Sequence, residues 1–475
     1  MKWAVSNPLA QRWQNYSPVR RVFAALGLLL GVIAICMAVL IATELIAKNL
    51  IKPWTTGQKD TQKPSQGTIE QGRYLAQVGN CAACHTARGG QDFAGGKAIH
   101  TPFGAVYTSN ITPDVATGIG RWSAQAFYRA MHTGRSADGR LLTPAFPYTN
   151  YTHVTQGDSN ALYAYFMHGV PAVEQANRAH ELPFPFNTQV ALAVWRLMFF
   201  EQAAPEVPQT DTTKIIATQA VNTWTTAINR TQNDNQSLRG AYLVRGLGHC
   251  SACHAERNAL GATTNDQLLS GALMPMQDWY APSLMDRTQA GVMHWPAADL
   301  VALLKTGIAP SASVAGPMAE VVSKSTQYWS DADLQATAVY LQSLPEIQPV
   351  KRGKPSQNPQ LYERGEQLFT QHCASCHGTQ GEGVKLEGSV ALPTLAGNRA
   401  ITMPTTANLV RIILAGGYAP STAGNPRPFG MPPFVHVLND EDIAAVTTYI
   451  RASWGNQADA VSAADVVRHR KGLLN

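Results

Sequence analysis

Cysteine is scarce in this chain. There are seven in 475 residues, an odd number that cannot all pair, so a pure disulfide scaffold is excluded. Long apolar runs are scarcer still: there is one, which together with a mean hydropathy of −0.13 excludes a polytopic membrane protein. With 45% hydrophobic residues, the chain is not intrinsically disordered either. No Gly-x-Gly-x-x-Gly precedes a helix, there is no phosphate-binding loop, and no carboxylate pair lies in a pocket context. Strand-like alternation is also rare, so the fold reads as mostly α. What is present is length enough for about three domains. A net charge of +6 and a pI near 8.9 invite a nucleic-acid or lipid-surface reading.

The one apolar run, Val22 to Ala42, is bounded by Arg20-Arg21 and Thr43-Glu44. About 20 such residues span a bilayer as a helix. A cleaved signal peptide is the competing reading, but the run exceeds the usual apolar core and Leu45-Ile46-Ala47 is a poor cleavage site. We therefore expect an uncleaved anchor. The flanking Lys and Arg residues are nearly balanced and leave its orientation open.

Six of the seven cysteines fall in a motif that occurs three times: Cys81-Ala-Ala-Cys84-His85, Cys250-Ser-Ala-Cys253-His254 and Cys373-Ala-Ser-Cys376-His377. Chance predicts roughly 0.003 such motifs for this composition. Two thiols one helical turn apart can add to the two vinyl groups of a haem, and the adjoining imidazole then lies under the ring to bind iron. The alternatives are a thioredoxin-like redox pair or half of a zinc site. A redox pair has no need of His in every copy, and a four-thiolate zinc site would need two distant copies to converge. The motifs therefore predict three covalently bound haems c.

Each copy opens with a helix-like stretch (GRYLAQVGN, GAYLVRGLGH, GEQLFTQH) and continues with a matching second half. Arg121–Gly134, His294–Gly307 and Leu409–Gly416 have apolar residues at helical spacing and end in glycine. A closing helix follows over Gly157–Gly169, Ser330–Leu344 and Asn439–Ser453. The expected organisation is a cytoplasmic tip and anchor over 1–52, a linker over 53–67 and a first haem domain over 68–200. A connector spans 201–235, a second domain 236–345, a linker 346–357, a third domain 358–456 and a tail 457–475. The apolar segment Trp195–Phe200 reads as a core helix, with a membrane-surface patch or a docking site as alternatives.

Met with His is the axial pair that raises the potential of a haem, and the Met should lie before the closing helix. Met431 in Gly430-Met-Pro-Pro-Phe434 and Met318 in Gly316-Pro-Met-Ala319 occupy that interval, although core packing is the usual role of a Met. The first copy breaks the pattern, because Phe146 stands where the Met would be. Nearby donors are Met131, His132, His153, Met167 and His168. Met131 aligns with Leu304 and Ile413 and reads as core; His132 is the preferred ligand, followed by His153, with an open five-coordinate iron as the remaining alternative.

Beyond the motifs, the chain resembles the three-haem cytochrome c subunits of bacterial membrane-bound dehydrogenases. The resemblance runs from about Gly72 to Ala452 through Ser109–Asp114, Thr117–Gly120, Ala161–Val170, Trp279–Leu284, Gly316–Val322 and Leu392–Asn398. It implies three tandem class I cytochrome c domains behind one N-terminal transmembrane helix. The proximal ligands are then His85, His254 and His377, and the distal ones Met318 and Met431. It also implies electron transfer from a catalytic partner to ubiquinone. The family serves quinoprotein, flavoprotein and molybdenum enzymes. The alcohol-dehydrogenase type resembles Pro-Ala-Met-Pro-Tyr where this chain has Pro144-Ala-Phe-Pro-Tyr148. With Leu182–Asn187, that form looks more like subunits serving molybdopterin/iron–sulfur aldehyde or heteroaromatic dehydrogenases.

These readings make the chain an electron carrier with no substrate-oxidising site of its own. The alternatives are a cytochrome donor to a terminal oxidase and a haem peroxidase using an open first haem. Haem attachment by this motif takes place outside the bacterial cytoplasm, which puts the haem domains on the periplasmic side of the inner membrane behind a single-pass anchor. The propionates of three haems nearly cancel the positive charge, so the nucleic-acid reading loses its basis.

Overall fold

The computed structural model describes residues 63–203, 234–263, 269–349, 358–384 and 392–471, with scattered positions between 17 and 44. Most of the 201–235 connector and much of the other two linkers lie outside the described residues. So does a large part of the Val22–Ala42 run. Its described positions are helical, and Val22, Phe23, Leu26, Ile35, Val39 and Leu40 are exposed. Among the described residues no helix is long and apolar enough to cross a membrane.

The chain is mostly helical, and among the described residues the strands form four short antiparallel hairpins. Three helix crossings organise it: Gln66–Val78 on Gln156–His168, Asp234–Arg245 on Asp331–Gln342, and Pro359–His372 on Asp440–Ala452. Each depends on a glycine at the point of closest approach. A Cβ on Gly72 would lie 1.9 Å from the Ala161 carbonyl oxygen, one on Gly240 2.0 Å from that of Ala336, and one on Gly365 2.3 Å from that of Ala445. The aromatic four residues further on, Tyr165, Tyr340 or Tyr449, closes over the same glycine. Only a residue without a side chain lets the two backbones meet this closely.

The closing helices start alike. The side chains of Thr155, Ser330 and Asn439 accept from the backbone N–H of Asp158, Asp333 and Asp442, a cap with an acidic residue in the first turn. The middle helices, Ala124–Thr133 and Ala297–Thr306, end on Gly134 and Gly307 in left-handed conformation. The C-terminal tail carries a further helix, Ala463–Lys471, whose Val466 is buried against the third crossing.

The cores are not equally separate. Leu75, Val78, Phe127 and Phe166 from the first crossing share one cluster with Leu243, Leu247, Trp329 and Leu334 from the second. The third cluster runs from Leu368 to Val466 and takes its buried members from that stretch alone. Arg451, fully buried there, donates to the carbonyls of Ile401, Met403 and Asp459 and ties the loop before the middle helix to the closing one.

Asp333 lies where the first two units meet. Arg239 grips it with two nitrogens at 2.8 and 2.9 Å, and Tyr74 of the first unit donates to it at 2.6 Å. Burial pushes its carboxyl up, but the Arg239 and Tyr74 hydrogen bonds outweigh that and hold it below the usual range. A depressed carboxylate contributes stability that is full above its unfolded value, about 3.9, and is lost as pH falls through the lower folded value. The urea midpoint should therefore fall more steeply below pH 4 in the wild type than in Asp333→Asn, which has already lost this contribution.

Candidate functional site: three Cys-x-x-Cys-His helices

Each motif follows the first helix of its crossing and forms a short helix of its own: Cys81–His85, Ser251–His254 and Ala374–His377. The backbone N–H groups of His254 and His377 donate to the Cys250 and Cys373 carbonyls at 2.9 Å, so the first Cys and the His lie one turn apart. In the first two copies the residue before the motif is left-handed, Asn80 at φ 51° and His249 at φ 36°. Asn and His are among the few side chains that enter this region, and the bend separates the motif from the helix before it.

None of the six motif cysteines is paired in a disulfide. Burial, with the neighbouring thiol adding to it, pushes Cys81 and Cys250 up to about 12 and Cys373 up to about 11. A thioredoxin-like nucleophile needs the opposite shift. Among the described residues no three His, Cys, Asp or Glu side chains converge as a metal cluster.

The three histidines share an arrangement that the motif alone does not encode. His85 Nδ1 lies 2.7 Å from the Ser109 carbonyl, His254 Nδ1 2.7 Å from that of Pro282, and His377 Nδ1 3.1 Å from that of Pro393. Nδ1–H donating to a carbonyl leaves Nε2 as the lone-pair nitrogen, and the bond fixes the plane of the ring. Burial lowers all three pKa values and favours the neutral imidazole that iron requires. The carbonyls come from loops well downstream of the motifs, within Ser109–Asp114, Trp279–Leu284 and Leu392–Asn398. Those stretches stood out in the sequence, but nothing in them announced this role.

A cavity of about 3090 Å³ opens beside the first two motifs, with Cys81, Cys84, His85, Phe146 and Cys253 in its wall. A drug-sized ligand needs about 300–1,000 Å³, so this space admits more than one large planar group. The paired cysteines, an imidazole presenting Nε2 and, beside the first two motifs, this cavity fit covalently attached haem.

The expected sixth ligands sit as follows. Met431 lies on a two-residue strand paired with Gly417–Tyr418, and it borders the same apolar cluster as Cys373. Met318 is the second residue of the Pro317–Lys324 helix, half-buried. Phe146 borders the first cluster beside Cys81, its ring 5.3 Å from Tyr151. Met131 is a buried member of that cluster, while His168 is exposed. His132 is buried and stacks on Tyr128 at 4.5 Å, with Nε2 3.2 Å from the Tyr128 hydroxyl. Nearby His153 is pushed down to about 4 by burial and by Arg245 and His132.

The cytochrome c family matches residues 362–454, the third crossing. Over 429 residues the chain is 35% identical to the cytochrome c subunit of the quinone alcohol dehydrogenase of Gluconobacter oxydans (strain 621H), covering 87% of this chain and 84% of that one. It is 38% identical over 421 residues to the gluconate 2-dehydrogenase cytochrome c subunit of Pantoea cypripedii, covering 85% and 89%. The chain belongs to the cytochrome c subunits of bacterial membrane dehydrogenases. A third relative, the fructose dehydrogenase cytochrome subunit of Gluconobacter japonicus, is 35% identical over 431 residues, 85% of this chain and 83% of that one. This cytochrome subunit is thus an electron-transfer component of a dehydrogenase complex and carries covalently bound haem c.

The apolar segment near residue 195 forms the Gln189–Phe199 helix, with Ala193 and Arg196 turned inward and Val190, Leu197 and Met198 exposed. Glu44, just past the apolar run, pairs with both Arg135 and Arg196.

Proposed function

We propose that this cytochrome subunit binds three haems c and passes electrons from a catalytic dehydrogenase subunit to ubiquinone on the periplasmic side of the inner membrane. A bound haem supplies an iron that takes up and returns one electron. The protein does the rest. Cys81 and Cys84, Cys250 and Cys253, and Cys373 and Cys376 each tether one group. His85, His254 and His377 present Nε2 from rings fixed at Nδ1. Met318 and Met431 would hold the second and third haems as distal ligands, and His132 the first. A thioether and an imidazole tune the iron differently, which grades the potentials along the chain.

The observation that carries the reading is the threefold repetition of the whole device: thiol pair, imidazole tied through Nδ1, and glycine crossing behind it. The remaining assignments stand on narrower support. The relatives named above are subunits of dehydrogenases, and the Pro144-Ala-Phe-Pro loop favours a molybdopterin/iron–sulfur partner over a quinoprotein or flavoprotein one. The apolar run and the periplasmic chemistry of haem attachment support a single-pass anchor with the domains outside.

The mass of the purified holoprotein should exceed that of the polypeptide by three haems, and each Cys-to-Ser pair should remove one. Deleting the catalytic subunit should abolish substrate-driven quinone reduction in membranes. Fewer than three haems, or quinone reduction that survives the deletion, overturns the proposal. His132→Ala should move part of the optical spectrum from low to high spin; an unchanged spectrum removes His132 as a ligand.

A further inference from the structure

The first two units meet through a reciprocal set of bonds. Tyr74 donates from the first unit to Asp333 of the second at 2.6 Å, and its oxygen accepts from the Ser330 N–H at 3.1 Å. Tyr242 donates from the second unit to Asp158 of the first at 2.6 Å, and its oxygen accepts from the Thr155 N–H at 3.3 Å. Tyr74 and Tyr242 each stand two residues after the crossing glycine, and Asp158 and Asp333 are the matching acids of the closing helices. Residue i on one unit meets residue j on the other, and j meets i, which is the mark of a two-fold interface.

The pattern extends to the haem-attachment helices. Asn150, in the short Tyr148–Tyr151 helix after Phe146, donates to the Arg245 carbonyl at 2.9 Å and to Ser251 at 2.8 Å. In return, Ser325, after the helix bearing Met318, donates to the Val78 carbonyl at 3.2 Å. Lys97 of the first unit also pairs with Glu320 on that helix at 3.5 Å. The distal loop of each unit thus rests on the attachment segment of the other.

One contact links the two motifs themselves. His249 Nε2 donates to the Gly79 carbonyl at 3.3 Å, and the His249 ring packs 5.7 Å from that of Tyr151. His249 directly precedes Cys250, and Gly79 stands two residues before Cys81. His249 makes this bond from a left-handed backbone conformation, one that persists only where the surroundings impose it.

The described residues of the third unit show none of these features. Gln367 replaces the tyrosine and is exposed. His372, the counterpart of His249, lies inside its helix with its ring on Phe434 of the same unit. That unit docks on the second through unrelated surfaces: Asn408 on the Tyr280 backbone, and Arg399 on Ser311 and Trp295.

We propose that the first two units are a fixed electron-sharing pair, with His249 the positioning residue that holds the second attachment helix in register against the first. This rests on the haem reading above. With haem bound at both motifs, a crossing electron would oxidise one iron as it reduced the other, with no bond formed or broken. The rate depends on the separation, which the reciprocal tyrosine bonds and His249 set.

The test uses the full holoprotein in detergent. Electron equilibration between the first two sites is followed after pulsed photoreduction, together with haem content and spectra. In His249→Leu the fast equilibration phase should be lost while three haems and their low-spin spectra remain. His249→Gln, which keeps a donor for the Gly79 carbonyl, should restore it. The paired change Tyr74→Phe and Tyr242→Phe should slow the same phase without touching either motif, and His372→Leu should leave it intact. An unaltered fast phase in both His249→Leu and the tyrosine pair overturns the proposal. A wild-type protein with no haem on the first or second motif overturns it together with the reading it rests on, and the mass measurement identifies that case.

Discussion

Gly240→Ala is expected to disrupt the second unit. Helix propensity alone argues the other way, since alanine is better than glycine inside a helix by about 0.8–1.0 kcal/mol. The new Cβ, however, would lie 2.0 Å from the Ala336 carbonyl oxygen and 2.6 Å from Tyr340 Cβ. The carbonyl belongs to helix backbone and cannot swing aside, so the helices must part. Around the crossing, Leu243 and Leu334 are fully buried and Tyr340 nearly so. Overpacking of a tight core typically costs about 1–3 kcal/mol, and backbone against backbone belongs at or above the upper end. The predicted outcome is a lower Tm and loss of the second haem from protein made in cells, where an opened unit is degraded. Gly67→Ala is the control. It lies in the first turn of its helix with only the Ser65 hydroxyl at 3.8 Å, and its Tm should hold or rise. If Gly240→Ala melts at or above the wild-type temperature, the crossing glycine is not what closes this unit.

That glycine shows how much of the molecule was legible in the sequence and where legibility stopped. GRYL, GAYL and GEQL are visible as the openings of the three copies, and their helical character follows from spacing. The reason for the glycine lies about ninety residues downstream, in Ala161, Ala336 and Ala445, and a pattern read along the chain does not reach that far. The histidine partners were hidden for the same reason. The motif announces an imidazole, but the carbonyls that orient it come from Ser109, Pro282 and Pro393, and a backbone carbonyl has no residue signature. Helix ends read well, because caps are local: Ser330 and Asn439 mark their helices in the sequence and cap them in the fold. Least legible was the pairing of the first two units. Tyr74 and Tyr242 look like ordinary amphipathic-helix residues until Asp333 and Asp158 are brought opposite them.

The second large effect is expected from His254→Ala. The second unit is the junction of the molecule, sharing its apolar cluster with the first and hydrogen-bonding through Tyr280 and Ser311 with the third. Cys250 and Cys253 would still tether a haem in the variant, so the haem content should not change. What is lost is the imidazole proposed to ligate the iron, whose ring Pro282 fixes, and alanine offers nothing in its place. Removing only the partner behind a metal-bound histidine typically costs about 10–100-fold in activity, and removing the ligand itself should exceed that. Substrate-driven quinone reduction should therefore fall by more than about 100-fold. The optical spectrum should show one site turned high-spin and the other two unchanged. The combination is diagnostic: a protein that failed to fold would lose haem and all three low-spin signatures together. Quinone reduction near the wild-type rate, with the second site plainly high-spin, would mean that electrons bypass the middle of the chain.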